Sequence, residues 1–332
     1  AYLRKIKKEI IIVSSGAIAL GRNTLSSSDK TLNLEENQAA ASIGQIELAY
    51  SWKAALEHQN IKCAQILLSP DDTETRRRHL NARATIATLI NSHVVPVINE
   101  NDTVTTSEIK FGDNDRLAAR VAQMSSSDLL ILLSDIDGLY DQNPHHSKTA
   151  KHIPLVTEIN EEIMNMAGSS HYEYASGGMV TKLEAAKISS LSGCNLIICN
   201  GESEHPILEL SKGKKHTIFK ANETPLTARK KWIAAGLNIL GKLIVDNGAS
   251  TALKNGSSLL PAGVIKVEGL FEKGDLVEIL DQDKRNIGSG LSSYNSKEIE
   301  IISGKKTRDI KSFLGYEGRD ELIHRDDLVL KT

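Results

Sequence analysis

Short continuous apolar runs alternate with longer helical stretches from Glu9 to about Phe219, and this rhythm constrains the fold more than any other feature of the chain. The runs are Glu9–Val13, Lys62–Leu68, Val94–Ile98, Leu129–Leu133 and Asn195–Cys199. Each is rich in Ile, Leu and Val, and apolar residues follow one another instead of recurring at every second position. A strand with one wet face alternates; a strand covered on both faces has no reason to. Between the runs, helical spacing appears over Glu36–His58, Thr73–Asn91, Asp115–Met124 and Thr181–Leu191. Strand, helix and strand in turn predict an α/β fold, a parallel-rich sheet flanked by helices.

A parallel sheet gathers the residues that follow its strands on one edge, where open α/β sheets bind ligands. Those residues are Ser14-Ser15-Gly16, Ser69-Pro70-Asp71-Asp72, Asn99-Glu100-Asn101-Asp102, Ser134-Asp135-Ile136-Asp137-Gly138 and Asn200-Gly201. Hydroxyls, amides and carboxylates on one rim predict a polar cleft, although loops are polar in any case.

Beyond this region the pattern changes. Lys220 to Trp232 is polar and basic (Lys220, Arg229, Lys230, Lys231), as a connecting segment would be. Short strands punctuated by glycines follow at Leu243–Asp246, Val264–Phe271, Leu276–Leu280 and Ile287–Ser292. They predict a small antiparallel β-barrel or sandwich. A chain of 332 residues is long enough for two domains. The expected division is 1–222, a connection over 223–239, and 240–332.

Composition excludes some classes. With 40 basic and 42 acidic residues the net charge is −2, which gives no whole-chain attraction to nucleic acid. No apolar stretch approaches the ~20 residues of a membrane span. Cys63, Cys194 and Cys199 lack metal-type spacing and read as reduced core thiols of a cytoplasmic protein. The chain opens Ala-Tyr-Leu-Arg-Lys-Ile without Met, and Leu3 and Ile6 keep helical spacing. That opening reads as the last turns of a helix whose beginning is absent, in a fragment or a processed terminus.

Four segments carry candidate chemistry. Ser14-Ser15-Gly16 joins a strand to a helix, where free backbone N–H groups attract anions; an ordinary cap would look the same. The Gly16 to Asn23 spacing imitates a P-loop without its Lys or Ser/Thr, so a P-loop is rejected. Asn99-Glu100-Asn101-Asp102 is followed by Lys110-Phe111-Gly112-Asp113-Asn114-Asp115. Carboxylates and amide oxygens there suit an ammonium, and helix-start N–H groups suit a carboxylate, as an amino acid would require. A simple acidic helix cap is the bland reading of the second run. Ser134-Asp135-Ile136-Asp137-Gly138-Leu139-Tyr140 leaves a buried strand and can hold a base and ribose; an EF-hand pattern is absent. Finally, Ser176-Gly177-Gly178-Met179-Val180-Thr181-Lys182 enters a helix. Its glycines let backbone wrap a phosphate, and Lys182 can neutralise charge on a transferred phosphoryl group, unless it is only a surface lysine.

In this order the four segments resemble the glutamate 5-kinases of the amino acid kinase superfamily, over essentially the whole chain. The Asn99–Asp102 and Gly112–Asp115 pair distinguishes them from carbamate, uridylate and acetylglutamate kinases. Gly256-Ser-Ser-Leu-Leu-Pro261-Ala-Gly263 and Leu314-Gly-Tyr316 are similar to the PUA domain that many of them carry, a domain that elsewhere binds RNA. The resemblance implies that Ser15, Asp102 and Asn114 bind glutamate. It implies that Ser134, Asp135 and Ser176, Gly177, Gly178, Met179, Val180, Thr181 and Lys182 bind the nucleotide. Lys182 matches the catalytic lysine, Asp115 the aspartate that orients it, and Lys110 the loop shaping the substrate and proline-inhibitor site.

The implied reaction is in-line attack of the glutamate γ-carboxylate on ATP, with Mg2+, giving L-glutamyl 5-phosphate in the first step of proline synthesis. A carboxylate with a reference pKa of about 4.3 is already ionised, so no general base is needed. Proline as feedback inhibitor and homo-oligomer assembly are implied as well. One departure bears on activity. The family begins with a strand and a Lys-x-Gly-Ser-type phosphate loop ahead of the Ser-Ser-Gly turn, and this chain starts after that point. A core strand and half of the phosphate clamp are then expected to be missing. The competing expectations are a kinase acting on another amino acid, and an impaired fragment acting on RNA through its PUA domain.

Overall fold

Two units, Ala1–Pro225 and Leu226–Thr332, each enclose their own core in the computed structural model. It describes residues 1–25, 32–104, 114–144, 146–167, 178–234 and 239–331. The first unit opens with α1 (Tyr2–Lys5), β1 (Ile12–Val13), α2 (Ala17–Leu25), α3 (Leu34–Glu57) and β2 (Cys63–Leu68). It continues through α4 (Pro70–Glu74), α5 (Arg76–Asn91), β3 (Val95–Glu100), α6 (Asn114–Ser125) and β4 (Leu129–Ser134). A ribbon of β5 (Leu139–Tyr140) and β6 (His152–Ile153) leads to β7 (Leu155–Val156), α7 (Glu161–Met166) and α8 (Met179–Leu191). The unit ends with β8 (Asn195–Asn200), α9 (Pro206–Ser211) and β9 (His216–Phe219).

The five apolar runs all become strands, but among the described residues they form two sheets. One is parallel throughout in the order β1-β3-β2, with Ile12 opposite Val97 and Cys63 opposite Val95. The other runs β4-β8-β9-β7, with β4 and β8 parallel and Leu129 opposite Asn195. Strand β9 lies antiparallel to β8, which departs from an all-parallel edge. The six-residue helix α9 lies between them, and the chain turns back to run beside β8 instead of crossing over to its start.

The helical stretch expected over Thr73–Asn91 is broken. Ser69 starts α4 early: its backbone N–H and hydroxyl both donate to Asp72 Oδ2, at 2.7 and 2.6 Å, and Pro70 occupies the first helical turn. Thr75, with φ −74° and ψ 115°, then interrupts the helix before α5. Helices α2 and α3 cross closely because small residues face each other. A Cβ on Gly21 would run into the Ala40 carbonyl, and one on Gly44 into the Ala17 carbonyl.

The core of this unit has two parts. Leu68, Ile86, Ile98, Leu117, Val121 and Met124 pack around the three-stranded sheet. Leu132, Leu139, Leu183, Leu196, Ile198 and Phe219 pack around the other. Val13 touches both. Cys194 and Cys199 are buried and Cys63 is half-buried, and all three are free thiols; burial pushes Cys194 up to about 12.

Helix α10 (Pro225–Ala234) occupies most of the stretch read as a connection. The second unit continues with β10 (Ile239–Val245), α11 (Asn247–Lys254), β11 (Val264–Gly269), β12 (Leu276–Leu280), β13 (Asn286–Leu291), α12 (Ser296–Ile302), α13 (Ile310–Leu314) and β14 (Leu328–Leu330). Its sheet runs β11-β10-β12-β13-β14. It is mixed and not purely antiparallel, since β10 and β12 are parallel. Helix α11 and strand β11 intervene between them and return the chain to the same end. Leu243, Val245, Val277, Ile279, Tyr294, Ile299 and Leu322 are buried in its core.

Candidate functional site

The first turn of α6 is the hinge of the site, because α6 packs against β1, β3, β4 and α8. The sequence explains that position: Leu117, Ala118, Ala119, Val121, Ala122 and Met124 give α6 buried residues on several sides. Ala118 and Ala119 meet Ala185 and Ala186 of α8 in one fully buried cluster. Methyl-sized side chains let the two helices approach, which brings their N-terminal residues together.

There Asp115 receives two groups from α8. Lys182 Nζ lies 3.1 Å from Asp115 Oδ2, and the Thr181 hydroxyl donates to the same oxygen at 2.8 Å. Lys182 is only 7% exposed. A buried ammonium is stable only beside a counter-charge, and Asp115 provides one. Arg116 and Glu184 tie the helices a second time, with Nε donating to Glu184 Oε2 at 2.7 Å. Gly178 precedes α8 as its N-cap, and among the described residues a Cβ there would meet nothing within 4 Å.

A cavity of about 220 Å³ opens beside Lys182. Its lining includes Ser134, Asp135, Leu139, Tyr140, Gly178 and Met179. The ends of β4 and β8 meet at its edge. Gly201 N–H donates to the Ser134 carbonyl at 2.7 Å, Asn200 Nδ2 to the Asp135 carbonyl at 3.3 Å, and the Ser134 hydroxyl to Asp135 Oδ1 at 2.9 Å. The structure therefore brings Ser134, Asp135, Gly178, Met179 and Lys182 to one cavity. Thr181 reaches Asp115 instead, and Val180 follows Met179 in the first turn of α8. Ser176 and Gly177 lie outside the described residues.

On the other side of α6, the ends of β1 and β3 carry a polar group of their own. Asn99, Glu100 and Asp102 are all buried. Helix α3 holds this corner: Gln45 Oε1 accepts from Asn99 Nδ2 at 2.8 Å, Ser42 and Thr103 hydroxyls lie 3.0 Å apart, and Trp52 Nε1 donates to Ser14 Oγ at 2.8 Å. Ser15 and Gly16 are exposed, Gly16 at φ 112°. Burial alone pushes the Asp102 carboxyl up to about 6. Asn114 Oδ1 is buried without a hydrogen-bond partner among the described residues. A buried polar atom left open costs stability unless something is meant to meet it. Lys110, with Gly112 and Asp113, lies outside the described residues.

Ser42, Gln45 and Trp52 were not singled out from sequence. The available signal was slight: one amide, one hydroxyl and one indole on a helix whose buried positions are Ala40, Ala41, Gly44 and Leu48. No cluster of three or more His, Cys, Asp or Glu able to hold a metal occurs among the described residues.

The arrangement pairs a buried cation beside a cavity with a separate cluster of buried acidic and amide residues, which suits transfer of an anionic group to a small zwitterion. Residues 1–200 match the amino acid kinase family, and 241–314 match the PUA domain. The glutamate 5-kinase of Rhodopseudomonas palustris (strain HaA2) is 52% identical over 332 residues, covering 100% of this chain and 88% of that protein. That of Paramagnetospirillum magneticum (strain AMB-1) is 52% identical over 324 residues, covering 98% and 87%. A carbamate kinase from Giardia lamblia bound to AMP-PNP aligns over 67% of this chain and 86% of its own at 17% identity, with a TM-score of 0.46. The chain belongs to the amino acid kinase family, in its glutamate 5-kinase branch, with a PUA domain behind the kinase part.

Proposed function

We propose that this chain transfers the γ-phosphoryl group of ATP to the γ-carboxylate of L-glutamate, giving L-glutamyl 5-phosphate and ADP, the first step of proline synthesis. The observation that carries the reading is the buried Lys182–Asp115 pair at the cavity. The cavity takes part of the nucleotide: Leu139, Tyr140 and Met179 supply its apolar wall, and Ser134 and Asp135 its polar edge. Gly178 leaves room for phosphate oxygens. Lys182 then faces the charge that builds on the transferring group, and Asp115 holds its ammonium in place.

Glutamate is assigned to the acidic cluster. Asp102 and the open Asn114 Oδ1, an acceptor, face its ammonium, while Ser15 meets its oxygens. Lys110 belongs to the same reading through the family resemblance. The attacking carboxylate needs no base, so catalysis reduces to alignment and charge stabilisation. Among the described residues no cluster of His, Cys, Asp or Glu cages Mg2+; the ion enters with the nucleotide phosphates as part of the substrate.

Finer expectations belong to the same proposal: kinase residues 1–222, a connection over 223–239, a C-terminal domain over 240–332, proline as inhibitor, and RNA contact by the C-terminal domain. Self-association is supported by Ile46 and Tyr50, 74% and 69% exposed one turn apart on α3. No helix among the described residues is long and apolar enough to cross a membrane.

The test is ADP formation by the purified chain with glutamate, acetylglutamate or carbamate as acceptor. Glutamate-dependent turnover with hydroxylamine-trappable acyl phosphate is the expected result. Turnover with acetylglutamate or carbamate instead would overturn the assignment.

A further inference from the structure

We propose that Lys215 is a positioning residue for the nucleotide, fixing the Tyr140 wall of the cavity from outside it. The inference rests on reading that cavity as the nucleotide site. Tyr140 lines the cavity, whereas Lys215 does not. The two meet at the phenol hydroxyl, which accepts from Lys215 Nζ at 2.7 Å and donates to Asp137 Oδ1 at 2.7 Å. Lys215 Nζ also lies 3.6 Å from Asp137 Oδ2. One ammonium, one hydroxyl and one carboxylate thus close a triangle at the far end of the ring.

The backbone just ahead of Tyr140 is held by the same strand that Lys215 leads into. Thr217, fully buried on β9, accepts from Leu139 N–H at 2.7 Å and donates to the Ile153 carbonyl at 2.6 Å. Gly138 has no space for a side chain, since a Cβ would strike the Thr217 hydroxyl and His152 Nε2. His152, paired with Tyr140 across the β5–β6 ribbon, sets its ring against Tyr140 at 5.3 Å and 68°. Thr217 and Gly138 therefore place the main chain, and His152 leaves the ring one free end. Lys215 and Asp137 hold that end.

Charge favours the arrangement. The Tyr140 hydroxyl raises Lys215 above the ordinary lysine range against the opposing effect of desolvation, and the Asp137 carboxylate adds to the rise. His152 is lowered by burial and by Lys215, which keeps it neutral at physiological pH and avoids a second cation at the ring. Lys215 and Asp137 are both partly exposed, and exposed pairs add little to stability. The effect expected from losing Lys215 is therefore on ring placement and not on folding.

The test compares Lys215→Met, Lys215→Arg, Tyr140→Phe and the Lys215→Met/Tyr140→Phe double variant with the full chain. Melting curves establish folding for each. Lys215→Met should raise the KM for ATP by about 3–10-fold, with kcat and the KM for glutamate within about two-fold of the parent, because only alignment of one wall is lost. Lys215→Arg should restore most of the loss. The double variant should be no worse than the poorer single one, since both remove the same tether. Gly178→Leu, which fills the cavity from an unobstructed position, tests the underlying site. If Gly178→Leu leaves the KM for ATP unchanged, the nucleotide reading fails and the proposal with it. If it raises that KM while Lys215→Met does not, or if the double variant is additive, the role of Lys215 alone is overturned.

Discussion

At the scale of single residues, Lys182 and Asp102 carry the sharpest expectations. Removing the Lys182 ammonium takes away a charge that matters most when negative charge moves between oxygens. Lys182→Ala should therefore lower kcat by about 10²–10³-fold, with a much smaller change in the KM for glutamate. Steady-state kinetics at saturating ATP check this, and loss of glutamate affinity with kcat intact would remove Lys182 from its assigned role. Asp102 has a folded-state pKa of about 6 against an ordinary 3.8, raised by burial. Its ionised form meets the substrate ammonium, so kcat/KM for glutamate should fall as pH drops through about 6, where the free enzyme takes up the proton. Asp102→Asn should lower kcat/KM and erase that limb. The same shift acts on stability in the opposite sense. A raised carboxyl pKa means the empty fold prefers the protonated form, so stability is lost as pH rises from about 4 to above 6. Asp102→Asn should stabilise the unliganded protein at pH 7 by up to about 3 kcal/mol. Urea titrations should show that gain vanish near pH 4. Asp102 and Lys182 were legible in sequence because each follows a strand or opens a helix. Gln45 and Trp52 were not, because nothing local distinguishes a helix residue facing a site from one facing solvent.

At the scale of elements, the strands were legible to within a residue or two wherever both faces are buried. Strand β3 is buried at every position from Val95 to Glu100, and its apolar run is correspondingly unbroken. Run Glu9–Val13 yields only Ile12–Val13 as paired strand, since pairing depends on a neighbour and not on the run itself. The Thr75 break also escaped periodicity: a capping box at Ser69 and Asp72 starts a helix in a segment read as loop. The α2–α3 crossing offers a direct test. Gly44 sits where a Cβ would enter the Ala17 carbonyl, within a helix where glycine is otherwise unfavourable. Gly44→Ala gains helix propensity, yet overpacking should dominate and cost about 1–3 kcal/mol. Chemical denaturation should register the loss, and α3 should move enough to weaken the Gln45–Asn99 and Trp52–Ser14 contacts, which raises the KM for glutamate.

At the scale of the whole molecule, two units with separate cores should unfold in two steps. The second unit contains its own test. Arg229 on α10 and Asp327 ahead of β14 form an ion pair in which both side chains are nearly buried, with Arg229 Nε donating to Asp327 at 2.7 Å. Removing the guanidinium takes the counter-charge from a nearly buried carboxylate, so Arg229→Met should destabilise this unit by up to about 3–5 kcal/mol. Calorimetry should show the transition of the C-terminal unit move down while that of the kinase part holds. The change from continuous apolar runs to short, glycine-punctuated strands foretold two architectures, but not the parallel β10–β12 pair inside the second. Local order accounts for what the sequence alone determined: strand and helix periods, the polar strand ends, and the family-specific segments are all properties of neighbours along the chain. What only the tertiary structure decided depends on distance through space. The meeting of Lys182 with Asp115 across alanine-lined helices, the hold of α3 on the acidic cluster, and the grip of Lys215 on Tyr140 each join residues far apart in sequence. Packing sets such contacts, and no local pattern encodes them.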